Sequence, residues 1–167
     1  AVAAPAGTNW VDHVEKTANG GFRMGNPDAP LKLIEYGART CPACAAFDLQ
    51  GFEPLKSKYI STGKVSYEFR DYPIHGPLDL GPILVGQCVE PEAFFPLLNQ
   101  MFQDQPKLLA KEETVIQMLQ SSPNLTPNQV AATVAEQLGY IDYVKQRGVP
   151  EAKVRACLAD SAAITAI

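Results

Sequence analysis

No stretch of the 167-residue sequence approaches the roughly 18 consecutive apolar residues that a membrane-spanning helix requires; charge, glycine or proline breaks every long run. Neither sign of charge gathers into a block, and the net charge is only −4, so no polybasic anchor, no membrane insertion and no nucleic-acid surface is expected. Internal repeats and low-complexity tracts are absent as well. What is present is ordinary for a globular chain, with 46% hydrophobic and 19% charged residues and enough length for one domain, or a domain with a sizeable insertion. The opening Ala1-Val2-Ala3-Ala4-Pro5-Ala6-Gly7 is small and uncharged, as a mature end left by signal-peptide cleavage is; a disordered tail or an expression scar reads the same way.

Cysteine is scarce and unevenly placed. Two of the four form Cys41-Pro42-Ala43-Cys44, and Cys88 and Cys157 stand far apart. An even count suits an oxidising compartment. A zinc site built from all four is the alternative, but structural zinc sites usually present two close ligand pairs and here there is one. Cys88 and Cys157 both fall in helical stretches beside apolar neighbours (Leu84 and Val85; Val154 and Leu158), and a structural disulfide between them is expected, against two buried free thiols.

Hydrophobic patterning supplies the rest of the frame. Residues 8–19 read as a polar lead-in, and Gly20–Gly25 as a short edge strand closed by Asn26-Pro27-Asp28. Leu31–Tyr36 carries apolar residues on both parities, which predicts a strand covered on both faces. Ala45–Ile60 turns helical, with Pro54 expected to kink or end its first segment, and Lys64–Arg70 alternates as a second strand. After Pro73 everything reads as helix. Phe94, Phe95, Leu98, Met101 and Phe102 mark one apolar face, Thr126-Pro127-Asn128-Gln129 is a capping box, and a last helix starts near Pro150.

The tetrad lies between a strand and a helix inside a strand–helix–strand unit, the setting in which Cys-x-x-Cys carries redox chemistry. Disulfide exchange needs a thiolate to attack and a second thiol to resolve the mixed disulfide. At a helix start the first sulfur faces unpaired N–H groups and the positive helix end, while the second sits about one turn inward. Cys41 is the expected nucleophile and Cys44 the resolving thiol; Pro42 suits the first helical turn because it has no N–H to leave unsatisfied. Half a metal knuckle, or an inert pair, is the competing reading. Glu35, on an otherwise apolar strand, is placed to exchange protons with Cys44 if it points inward, or faces solvent at the strand edge. His75 reads as a solvated loop residue, His13 carries no signal, and Arg70 and Asp71 are expected to pair with each other or with water.

These residues together resemble the DsbA-like branch of the thioredoxin superfamily. Gly25-Asn26-Pro27-Asp28-Ala29-Pro30 leading into a strand, then Glu35, then the tetrad, is similar to that branch's opening, and Phe69-Arg70-Asp71-Tyr72-Pro73 with His75 to its exit loop. The resemblance spans about residues 20–160. It implies an α/β thioredoxin-like fold with an inserted all-helical domain: residues 1–75 hold the N-terminal part with the tetrad, 76–160 the insertion, and 161–167 the start of a helix returning to the thioredoxin domain. It further implies an exported, periplasmic oxidoreductase that uses no cofactor or metal. Such a protein acts on cysteines of unfolded or extended clients and is reset by a membrane redox partner or a reductant. A non-catalytic thioredoxin-like module that binds clients or a metal is the rival. Whether it would oxidise, isomerise or reduce depends on partner and redox poise.

Two departures bear on these expectations. Ala43 stands where strongly oxidising relatives commonly carry histidine, so Pro42 and Ala43 tune the pair toward a less stabilised Cys41 thiolate and a less oxidising disulfide. The branch also returns from its helical domain to a cis-proline loop, a hairpin and a last helix. This chain stops at Ile167 in what reads as mid-helix, so the C-terminal part of the thioredoxin sheet is expected to be missing. The free edge of Leu31–Tyr36 is then expected to be covered by a neighbouring chain, or by sequence beyond the stretch in hand.

Overall fold

Prolines at the first turn, and side chains that cap the N-terminus, decide where the main helices start. In the structure, a computed structural model describing residues 1–167, α1 (Pro42–Lys58) begins on Pro42, and α3 (Pro91–Gln103) on Pro91. α6 (Pro127–Gln137) opens on the capping box, with Thr126 and Gln129 bonding each other's backbone N–H groups reciprocally. Pro54 does not end α1, which continues through it to Lys58.

Four strands make one sheet. A 3-10 turn at Trp10–Asp12 leads into β1 (Val14–Lys16), followed by β2 (Phe22–Met24), β3 (Leu31–Gly37) and, after α1, β4 (Val65–Asp71). β3 and β4 are parallel, with Leu31 opposite Val65 and Gly37 opposite Asp71, and the order is β1-β2-β4-β3. Beyond β4 the chain is helical: α2 (Leu80–Gly86) and α3, then α4 (Gln105–Leu108), α5 (Glu112–Gln120), α6, α7 (Tyr140–Lys145), α8 (Glu151–Leu158) and α9 (Ser161–Thr165). No helix is long and apolar enough to cross a membrane.

Apolar burial falls into two clusters, and α3 belongs to both. Phe94, Phe95, Leu98 and Phe102 pack with Phe22, Phe52, Tyr67 and Phe69 under the sheet; Phe22 stacks on Phe94 at 3.8 Å. Leu97 and Met101, on the flank of the same helix, join the helical cluster of Val85, Val134, Ile141, Val154 and Leu158. Each such side chain contributes up to about 3 kcal/mol on burial, so α3 fixes the helices against the sheet. Ala163 and Ile164 of α9 pack on the helical cluster.

Three strand expectations are corrected. The lead-in contains β1, whose three residues are too short for a periodic signal. Gly20–Gly25 supplies an inner strand, because β1 covers the edge it was expected to leave open. Leu31–Tyr36 is the outer strand, with Leu31 64% and Tyr36 59% exposed; apolar residues on both parities report what a strand is made of, not what covers it.

Cys88, just past α2, is joined to Cys157 on α8. The four cysteines therefore do not form one tetrahedral site. Across a separation of 69 residues the chain-entropy account puts the bridge at about 4 kcal/mol. The double variant Cys88→Ala/Cys157→Ala is expected to lose about 2–4 kcal/mol in urea unfolding. An unchanged midpoint would contradict a stabilising role.

Candidate active site at the start of helix α1

The turn from β3 into α1 treats its two cysteines differently. Cys41 is the N-cap, with extended backbone, and its sulfur accepts the Cys44 N–H at 3.2 Å. The sulfur thus occupies the place a serine or aspartate oxygen takes in an ordinary cap, facing the positive end of a 17-residue helix. Cys41 is partly exposed and Cys44 is buried. Burial first, and then the hydrogen bond with Cys41, pushes the Cys44 thiol up to about 12, so Cys44 holds its proton at neutral pH. Both are free thiols. Pro42 fills N1, and Ala43 brings neither charge nor a side-chain donor.

Behind Cys44 lies a group of acids. Glu35 is half-buried on β3 and accepts the Tyr67 hydroxyl. Burial raises its carboxyl above the usual carboxylate range, the Tyr67 bond offsets part of that, and the Asp48 charge adds to the rise. Its charge reaches Cys44, where it opposes thiolate formation. Asp48, buried on α1, accepts Asn99 Nδ2 at 2.6 Å and is also raised by burial. Burial, reinforced by Glu35, pushes the Tyr67 phenol far up, which keeps it a donor.

The loop before Cys41 is pinned from the helical side. Arg39, 1% exposed, forms a buried ion pair with Asp71, whose other oxygen accepts Gln87 Nε2 at 2.9 Å. Gly86 has to be glycine here, because a Cβ would sit 2.2 Å from the Arg39 guanidinium. Gln105 Nε2 donates to the Arg39 carbonyl at 2.8 Å and to the Cys41 carbonyl at 3.0 Å. Thr40 donates to Asp79 and lies 2.7 Å from His75 Nδ1.

One expectation fails here. Asp71 pairs with Arg39 and Arg70 with Glu68, not with each other, because neighbours on a strand project to opposite faces. His75 is exposed in its loop, as a solvated residue there is, and its Nδ1 also lies within hydrogen-bond distance of Thr40. Sequence reasoning also missed Asp48, Tyr67, Arg39, Gln105 and Asp79. Asp48 follows Cys44 by one helical turn, and Tyr67 shares the buried parity of Val65 and Phe69; both periods were readable. A charge such as Asp79 between Leu78 and Leu80 was readable too, but its partner was not.

A family profile described as Thioredoxin matches residues 17–167, so the chain belongs to the thioredoxin family. Its fold is shared with a protein-disulfide isomerase from Novosphingobium aromaticivorans, at TM-score 0.78 and 26% identity over 89% of this chain and 76% of that one. Wolbachia pipientis alpha-DsbA1 shares the fold at TM-score 0.60 and 22% identity, over 86% and 61% of the two chains. In sequence the chain is 34% identical over 88 residues to Bacillus cereus "Probable disulfide bond formation protein D", covering 50% of this chain and 40% of that protein. It thus spans less than half the length of that relative.

A carboxyl raised by folding binds protons in the native state that the unfolded chain has already released. Its contribution to stability is full below the unfolded value of about 4.3 and is lost as pH rises through the folded value. Glu35→Gln keeps the acceptor for Tyr67 and removes the charge. It is expected to be more stable than the parent at pH 8 in urea unfolding, with the advantage vanishing toward pH 4. A variant less stable at pH 8 would contradict the assignment.

Proposed function

We propose that the chain is a thiol–disulfide oxidoreductase acting through Cys41 and Cys44 on cysteines of unfolded or extended exported clients. The observation that carries this reading is the asymmetry of the pair: one sulfur accessible at a helix N-terminus and bonded by N–H, the other buried and holding its proton.

In the oxidising direction a client thiolate attacks Sγ of Cys41 in the Cys41–Cys44 disulfide. The bond between the two cysteines breaks, and its electron pair leaves on Cys44, which takes a proton through Glu35. A second client thiolate attacks the client sulfur of the mixed disulfide, and Cys41 departs as thiolate. The client has lost two electrons and gained a disulfide, while the protein holds both sulfurs reduced. Read backwards, the same steps reduce a client. A membrane redox partner or a soluble reductant resets the pair according to direction. The bridge between Cys88 and Cys157 supports an exported, periplasmic setting, since such bonds persist where the compartment oxidises. The steps ask for no metal and no organic cofactor.

Trapping separates the two roles. Cys44→Ser is expected to accumulate mixed disulfides with an unfolded cysteine-containing chain, visible as higher-mass bands that disappear on reduction. Cys41→Ser is expected to give none and to lose exchange. Bands from Cys41→Ser but not from Cys44→Ser would reverse the roles. Client retention without exchange in the parent would favour a binding module.

A further inference from the structure

Cys41 is held by its main chain and by one side chain from outside the tetrad. Its N–H donates to the Ala38 carbonyl at 3.1 Å, and its carbonyl accepts the Ala45 N–H at 3.1 Å. The same carbonyl accepts Gln105 Nε2 of α4 at 3.0 Å, from 64 residues along the chain. Gln105 Nε2 also donates to the Arg39 carbonyl at 2.8 Å. A glutamine amide carries two N–H donors, so Gln105 uses both on the carbonyls either side of Thr40.

Gln105 is itself fixed. It is 7% exposed, between two anchored neighbours on the same stretch of helix. Phe102, three residues before, packs under the sheet, and Leu108, three residues after, packs in the helical cluster. Asp104 accepts the Tyr143 hydroxyl of α7 at 2.7 Å. The amide therefore meets the loop in an orientation set by the helical part of the chain.

What these bonds contribute depends on the state of the tetrad. With Cys41 joined to Cys44, a covalent bond closes the turn and limits where the Cys41 backbone can go. In the structure both thiols are free, and the Cys41 sulfur stays in the cap through the Cys44 N–H, 3.2 Å away, and through the bonds to its backbone. A contact that constrains Cys41 thus counts for more in the reduced protein than in the oxidised one. A group that stabilises the reduced form over the oxidised form makes the disulfide more oxidising. We propose that Gln105 is a positioning residue that holds Cys41 in the helix cap of the reduced protein and so raises the reduction potential of the Cys41–Cys44 pair. This rests on the exchange reading above. Gln105 bonds no sulfur and acts through the Cys41 carbonyl.

Gln105→Met keeps the length of the side chain and removes both hydrogens. Two measurements on the full chain test it. The first is the glutathione ratio at which Cys41–Cys44 is half oxidised, mapped by mass spectrometry after an acid quench. The midpoint value of [GSH]²/[GSSG] is expected to rise about fivefold in the variant, the worth of one hydrogen bond, which is a potential lower by about 20 mV. The second is urea unfolding with the pair reduced and with the pair oxidised, the Cys88–Cys157 bridge intact in both. The variant is expected to lose more stability in the reduced form, by the same factor of about five in the unfolding constant. Gln105→Asn, an amide one methylene too short to reach, is expected to move both readouts the same way, and it decides the matter if Gln105→Met does not fold. Equal loss of stability in the two forms, with the glutathione midpoint unmoved or lower, overturns the proposal and leaves Gln105 a structural brace. A parent in which Cys41 and Cys44 never join at any glutathione ratio would instead sink the exchange reading, and the proposal with it.

Discussion

The backbone N–H of Cys44 points at the sulfur of Cys41, 3.2 Å away, and the difference between the two cysteines depends on that contact. It exists only because β3 ends at Gly37 and the chain turns into a helix at Pro42, so that the first sulfur falls in the cap and the second a turn inside. A sulfur in the cap receives a donor and the helix end; a sulfur one turn in receives apolar cover and the field of Glu35. Shifting the helix start by one residue would exchange or erase these environments.

That turn is held by contacts from far along the chain. Phe94, Phe95, Leu98 and Phe102 anchor α3 under the sheet, and α4 follows directly, bringing the Gln105 amide onto the carbonyls of Arg39 and Cys41. Arg39 is gripped by Asp71 from β4 and lies against Gly86 of α2. The helices thus brace the loop that carries Cys41, while Glu35 accepts the Tyr67 hydroxyl and its charge reaches Cys44. Buried polar contacts of this kind are strong because water cannot replace them, and removing one partner leaves the other stranded.

Much of this was legible in the sequence for physical reasons. The parallel strand pair around α1, the all-helical remainder and the capping box at Thr126 follow from periodicity and capping chemistry, both local properties. The edge position of β3 was not legible from its pattern, since Leu31 and Ile34 look the same whether covered or bare. The bracing of the loop was hidden for another reason. Arg39 with Asp71, Thr40 with Asp79 and Gln105 with Cys41 are pairs 32, 39 and 64 residues apart, and no local rule joins them. His75 is exposed as a loop histidine is expected to be, and what the sequence hid is the Thr40 hydroxyl it bonds.

The central claim is that Cys41 and Cys44 form a reversible disulfide while Cys88 and Cys157 do not exchange under the same conditions. Equilibration in glutathione buffers of graded ratio, quenched with acid and mapped by mass spectrometry, tests it directly. The account predicts one two-electron transition at Cys41–Cys44, with a midpoint between about −270 and about −120 mV, the span of thioredoxin-type exchangers. The Cys88–Cys157 bridge is predicted to stay oxidised throughout. Two independent thiols at Cys41 and Cys44 that never join at any glutathione ratio would contradict the account.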